Sequence, residues 1–67
     1  MLGELLKQAR LQAGLTQKAV ADKADISRIA LGDIESGRAD PKVSTLERIA
    51  RAIGIDPGDL LNRKAIA

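Results

Sequence analysis

The sequence predicts one compact all-α domain built from five short helices. Apolar residues recur at helical spacing in several stretches, and most of these stretches end at a glycine or an aspartate. Strand signals are weak, since the 67 residues include only two valines and no Asn-Gly or Asp-Gly hairpin turn. A chain of this length forms a single modest core. Leu, Ile, Val and Ala must fill it, because the sequence has no aromatic residue.

Five segments have helical spacing together with start or end signals. All but the first begin after a side chain that can cap the first turn, and the first four end at a residue that tolerates positive φ. The predicted helices cover about 2–13, 16–24, 28–36, 45–53 and 57–62. The expected N-cap residues of the last four are Thr16, Ser27, Ser44 and Asp56. The expected C-terminal stops are Gly14, Asp25, Gly37 and Gly54.

The first three helices are defined by stripes of small and aliphatic side chains. The inward positions of helix 1 are Leu2, Leu5, Leu6, Ala9 and Ala13. Those of helix 2 are Ala19, Val20, Ala21 and Ala24. Those of helix 3 are Ala30, Leu31 and Ile34. Because residues three and four apart share one helix face, each set can pack on a common core.

Helices 4 and 5 have more specific start signals. Ser44 and Glu47 stand three residues apart ahead of an apolar run, which is the pattern of a capping box. The residue before Pro41 avoids the helical region, so the preceding segment is a loop. Helix 5 opens with Asp56 as a cap and Pro57 at the first helical position, and Leu60 and Leu61 would anchor it.

The composition excludes several classes of function. There is no His and no Cys, which removes disulfides, zinc sites, thiol nucleophiles and imidazole catalysis. We therefore expect no enzyme, no metal and no cofactor. Without aromatic stacking platforms, single-stranded nucleic acid is a poor ligand. No apolar stretch approaches the ~20 residues that span a bilayer, so we expect a cytoplasmic protein. The net charge of +2 permits an anionic partner without requiring one.

Helices 2 and 3 are separated by only Asp25-Ile26-Ser27, the turn length of a helix-turn-helix unit. Ala21 supplies a small residue where the two helices cross most closely. Apolar residues occupy the positions where the helices contact each other and the core. They are Val20, Ala24, Ile26, Leu31 and Ile34. The spacing predicts a helix-turn-helix unit in the centre of the domain.

Three further segments agree with one family. They precede, close and follow the unit, and are Gly14-Leu15-Thr16-Gln17, Ile34-Glu35-Ser36-Gly37 and Pro41 to Ile53. With them the chain resembles, over about 2–61, the lambda-repressor-like (Cro and phage-repressor type) helix-turn-helix family. The resemblance implies a transcriptional regulator or repressor that binds double-stranded DNA, usually as a homodimer on a palindromic operator. The chain departs from the family at Asp25, where Gly is usual, and in having Gly32 and Asp33 in helix 3.

Candidate DNA contacts lie at outward positions of helices 2 and 3 and beside the loop that follows helix 3. Those expected to face bases are Ser27, Arg28, Ile29, Gly32 and Asp33. Arg28 can donate two hydrogen bonds to guanine, Ile29 can pack on a thymine methyl, and Asp33 can accept from cytosine. Those expected to contact phosphates are Thr16, Gln17, Ser36, Arg38 and Lys42. Gln17 matches the family position whose amide holds a phosphate oxygen. For each of these side chains an ordinary surface role stays open.

The resemblance also implies an internal ion pair between Arg10 and Glu35, so Glu35 is not counted as charge facing DNA. One recognition helix reads only a few base pairs, which favours a two-fold dimer formed through residues 54–61. The alternative is a protein-interaction module of the same fold, such as an antitoxin-like subunit with a protein partner. The modest net charge, the acidic Asp33 and the apolar Leu11 and Ile29 favour that alternative.

Overall fold

The computed structural model describes residues 2–59 and consists of helices joined by short loops. The helices are α1 (Leu2–Gln12), α2 (Gln17–Ala24), α3 (Arg28–Ser36) and α4 (Val43–Ile53). Residues 57–59 are helical and match the start of the predicted helix 5. The rest of that helix, with Leu60 and Leu61, lies outside the described residues. The all-α prediction is confirmed, and within residues 2–59 no helix is long and apolar enough to cross a membrane.

All four described helices contribute buried side chains to one core. α2 packs against both α3 and α4, while α1 packs mainly against α3. The largest fully buried side chains are Leu6, Val20, Leu31 and Ile49, so every described helix contributes one. Leu2, Leu5 and Ile26 are partly buried against this core. Ala13 and Ala19, which we expected to face inward, are exposed.

Two of the predicted N-caps fix the starts of the two helices in the helix-turn-helix unit. The Thr16 hydroxyl accepts a hydrogen bond from the Ala19 N–H, and the Ser27 hydroxyl accepts one from the Ala30 N–H, both at 3.0 Å. Between them Asp25 adopts the left-handed conformation, with φ 59° and ψ 45°. These interactions define the turn between α2 and α3, and they hold the start of α3 at the surface.

The predicted capping box at the start of α4 is wrong. α4 begins at Val43, two residues before the expected start, and its N-cap is Lys42, which makes no side-chain cap bond. Ser44 therefore lies within the first turn, because the Lys42 carbonyl already accepts the first intrahelical hydrogen bond. Glu47 forms an ion pair with Arg51 at 3.6 Å instead of reaching back to a cap.

The contact between α1 and α3 is unusually close at Gly3. This glycine is buried, and a Cβ placed on it would overlap the carbonyl oxygen of Ile34. The same Cβ would stand 2.8 Å from the carbonyl oxygen of Glu35. Only glycine allows the start of α1 to lie directly on the last turn of α3, a requirement that has no signature in the sequence.

Candidate nucleic-acid interface

α3 presents a continuous outward surface, which we call the reading face. It consists of Ser27, Arg28, Ile29, Gly32 and Asp33. The first three are exposed, the last two are half-buried, and Ile29 is 69% exposed. Leu31 and Ile34 on the opposite side of α3 are buried in the core. The helix therefore has its apolar side committed to the fold and this one side free for a ligand.

The start of α2 has free hydrogen-bond donors. The first N–H groups of a helix have no intrahelical acceptor, and Thr16 satisfies only the N–H of Ala19. Within residues 2–59 no hydrogen bond uses the N–H groups of Gln17 and Lys18. These two donors, together with the positive end of the helix dipole, are suited to an anion such as a phosphate.

The Gln17 side chain connects the start of α2 to the reading face. Its Nε2 donates a hydrogen bond of 3.1 Å to Glu35 Oε1 near the end of α3. The same nitrogen lies 3.8 Å from the position that a Cβ on Gly32 would occupy. From sequence, Gln17 is expected to contact phosphate and Gly32 to face bases, with no indication that the two residues are neighbours. A contact between residues that are distant along the chain leaves no pattern in the sequence.

Arg10 and Glu35 form a buried ion pair between α1 and α3. Arg10 Nε donates to Glu35 Oε2 at 2.8 Å, and Arg10 Nη2 donates to Oε1 at 3.1 Å. The remaining guanidinium nitrogen, Nη1, donates to the Leu15 carbonyl at 2.8 Å. The two side chains are only 8% and 3% exposed. The pair is therefore locally neutral, and the Glu35 charge does not face an approaching polyanion unopposed.

The polar residues that follow the reading face differ in whether their side chains already make a hydrogen bond or an ion pair. Ser36 Oγ donates to the Asp33 carbonyl at 3.1 Å, so its hydroxyl must rotate away before it can donate to a phosphate. Arg38 and Lys42 are exposed, and no ion pair within residues 2–59 involves either of them. Lys42 is the N-cap residue of α4, and its side chain makes no cap hydrogen bond there.

Lys18 is a cation on α2 that is already paired. Its Nζ lies 2.8 Å from Asp22 Oδ2 in the next turn of the helix. The hydrogen bond to Asp22, followed by the attraction between the two charges, raises the pKa of Lys18 above its usual 10.5. Both side chains are exposed, and the neighbouring carboxylate weakens Lys18 as a partner for a phosphate.

The reading face is separate from the groove found in residues 2–59 that is lined by the start of α1. This groove, of about 690 Å³, lies between the start of α1 and the segment that follows α3. Of the predicted DNA contacts only Ser36 lines it. A small-molecule site in that groove would therefore be separate from the reading face.

The chain is similar to proteins that regulate genes. A helix-turn-helix family model (HTH_3) matches residues 6–60. The immunity repressor protein of Bacillus phage phi105 is 38% identical over 65 residues, which are 97% of this chain and 45% of that protein. Control protein C.BamHI of Bacillus amyloliquefaciens is 32% identical over 63 residues, which are 92% of this chain and 78% of that protein. The chain thus spans about half the length of the phage repressor.

The fold is also similar to that of a solved regulator. The restriction-modification controller protein C.AhdI from Aeromonas hydrophila superposes with a TM-score of 0.84 at 27% sequence identity. The superposition covers 88% of this chain and 89% of that one. The arrangement of helices described above is therefore shared over nearly the full length of both chains.

Proposed function

Because the chain belongs to the Xre/lambda-repressor-like helix-turn-helix family of DNA-binding transcriptional regulators, we propose that it is a cytoplasmic repressor that recognises specific double-stranded sites. The family is not enzymatic, so the function lies in binding alone. In the proposed complex α3 enters the major groove and the start of α2 contacts the backbone. The observation that supports this best is the contact of Gln17 with α3 beside Gly32, which brings both kinds of contact together.

The reading face determines the base preference in this proposal. Arg28 donates two hydrogen bonds to guanine O6 and N7, the commonest specific contact. Ile29, which is 69% exposed, packs against a thymine methyl group. Ser27 keeps its hydroxyl hydrogen for donation, because its oxygen serves as the cap acceptor. Asp33 accepts from a cytosine amino group, and Gly32 leaves room for the bases.

The phosphate contacts flank the reading face. At the start of α2 the Gln17 amide and the main-chain N–H groups hold one phosphate, with the Thr16 hydroxyl beside them. After α3, Arg38 and Lys42 contribute the charge, and Ser36 contributes after rotation of its hydroxyl. These contacts fix the register of the helix in the groove and carry no sequence information themselves.

We propose a two-fold dimer on DNA, since one recognition helix reads too few base pairs for a useful site. Two copies related by a two-fold axis place their recognition helices about 34–36 Å apart on a palindrome. Gly54 to Leu61 are the proposed contact region. Within it Ile55 packs against the core of its own chain, so the remaining apolar residues must supply the contact between copies.

Selection of duplexes from a random pool, followed by a salt titration on the selected site, tests the proposal. Arg38 and Lys42 supply two phosphate-contacting cations per copy, so a dimer should show a slope of log affinity against log salt of about −3.6. Binding at a ratio of two chains to one palindromic duplex is the expected stoichiometry. Selection that enriches no sequence would refute specific recognition.

Two exposed arginines provide a matched comparison. Arg28→Ala should weaken binding by ~1–3 kcal/mol and relax the preference at one base pair of each half-site. Arg38→Ala should weaken all sites about equally and flatten the salt slope by about 2 for a dimer, or about 1 for a monomer. Identical sequence profiles for the two variants would contradict the assignment of roles. Duplex binding that responds little to salt would instead favour a protein-interaction module of the same fold.

A further inference from the structure

The Glu35 carboxylate connects the buried ion pair to the start of α2. It accepts hydrogen bonds from Arg10 Nε at 2.8 Å, Arg10 Nη2 at 3.1 Å and Gln17 Nε2 at 3.1 Å. Arg10 belongs to α1 and Gln17 is the first residue of α2. A single carboxylate that is 3% exposed therefore holds side chains from two other helices.

We infer that Glu35 is a positioning residue for DNA binding, acting through the Gln17 amide. The inference rests on the proposed function and adds to it the residue that orders the phosphate contact. An amide nitrogen carries two hydrogens, so the bond to Glu35 leaves one N–H of Gln17 for a phosphate oxygen. Because the side chain is ordered during folding, its rotamer entropy is not lost when DNA binds.

Arg10 makes this arrangement compatible with a polyanion. A lone carboxylate one amide away from a phosphate would repel it, and burial would strengthen the repulsion. Two hydrogen bonds from Arg10 neutralise Glu35, and Arg10 is itself only 8% exposed. Arg10 therefore acts by cancelling charge inside the domain, while Gln17 is the group that extends toward the ligand.

The free protein provides the first test, which needs no DNA. The side-chain amide of Gln17 should be rigid in ¹⁵N relaxation, with an order parameter above ~0.7. Gln8 is the matched control, because its Nε2 donates to Glu4 Oε1 at 3.0 Å on an exposed surface of α1. The Gln8 amide should be mobile, below ~0.6. Equal mobility of the two amides would overturn the inference.

A double-mutant cycle on the selected duplex provides the second test. Arg10→Met combined with Glu35→Leu removes the acceptor without leaving a buried charge unpaired. In the wild-type background Gln17→Ala should weaken binding about tenfold per bound copy, the loss typical of one hydrogen bond to a charged group. In the double-variant background the same change should cost about twofold per copy, because the amide is no longer pre-ordered. An equal loss in both backgrounds would show that Glu35 acts only through the fold.

If the double variant does not fold, as judged by circular dichroism in the binding buffer, the ¹⁵N relaxation comparison of Gln17 with Gln8 decides the inference, because it uses the wild-type protein with the ion pair intact. A wild-type protein that binds no duplex would reject the proposed function and leave the relaxation result standing.

Discussion

Gly3→Ala should destabilise the domain although alanine is the better helix former. The added Cβ meets two carbonyl oxygens of α3, those of Ile34 and Glu35, and stands 2.8 Å from the second. Main-chain oxygens cannot rotate away, so α1 and α3 must separate. Overpacking typically costs ~1–3 kcal/mol, and a backbone obstacle places this site near the upper limit. Helix propensity returns at most ~1 kcal/mol. The free energy of unfolding should therefore fall by about 2 kcal/mol.

Urea and thermal unfolding followed by far-UV circular dichroism measure this loss, which should lower Tm by roughly 8–16 °C for a domain of this size. Gly32→Ala is the matched control, since a Cβ there has only Gln17 Nε2 nearby, at 3.8 Å. That variant should be more stable than the wild type by up to ~1 kcal/mol. If Gly3→Ala unfolds at the same urea concentration as the wild type, the close packing of α1 on α3 is refuted.

Further predictions use the same unfolding measurements. Leu31→Ala should cost ~2–5 kcal/mol because Leu31 is fully buried, whereas Leu11→Ala, at a side chain 50% exposed, should cost less than ~1 kcal/mol. Similar losses for these two would contradict the core assignment. Asp25→Gly should gain up to ~1 kcal/mol by relieving the left-handed φ of 59°; a loss would mean that the Asp25 side chain stabilises the turn. Thr16→Ala should lose about 1 kcal/mol with the cap bond of α2, and no loss would contradict it.

Elements with strong local signals could be predicted from sequence. Thr16 and Ser27 cap helices because a short hydroxyl can reach only the nearest N–H groups, and that interaction is local. Asp25 occupies the left-handed turn for a reason that is also local. Ser44 was wrongly predicted as the N-cap of α4, because the capping-box pattern does not show where the preceding extended segment ends. Lys42 has the extended conformation of an N-cap residue, and α4 therefore begins at Val43.

Tertiary contacts between distant residues could not be predicted in the same way. An alanine in the sequence predicts burial only weakly. Ala19 is exposed, although Ala21 and Ala24 on the same helix are buried. Nothing in the local sequence shows that position 3 must be glycine, because the close contact that excludes a Cβ there is made by α3. The hydrogen bond between Gln17 and Glu35 joins residues 18 positions apart and has no sequence pattern. The family resemblance assigned separate roles to Gln17 and Glu35, and only the packing in the structure relates them.

The charges on and around α3 suggest how such a domain would attract DNA with a net charge of only +2. On α3 itself Arg28 opposes Asp33, and Glu35 is cancelled by Arg10, so the helix adds little net charge. The attraction must come from its flanks, where Arg38 and Lys42 have no ion-pair partner within residues 2–59. In the proposed complex, the directional hydrogen bonds of Arg28 and Gln17 would supply the affinity that this weak general attraction does not. The proposed regulator would then discriminate between sites more by geometry than by charge.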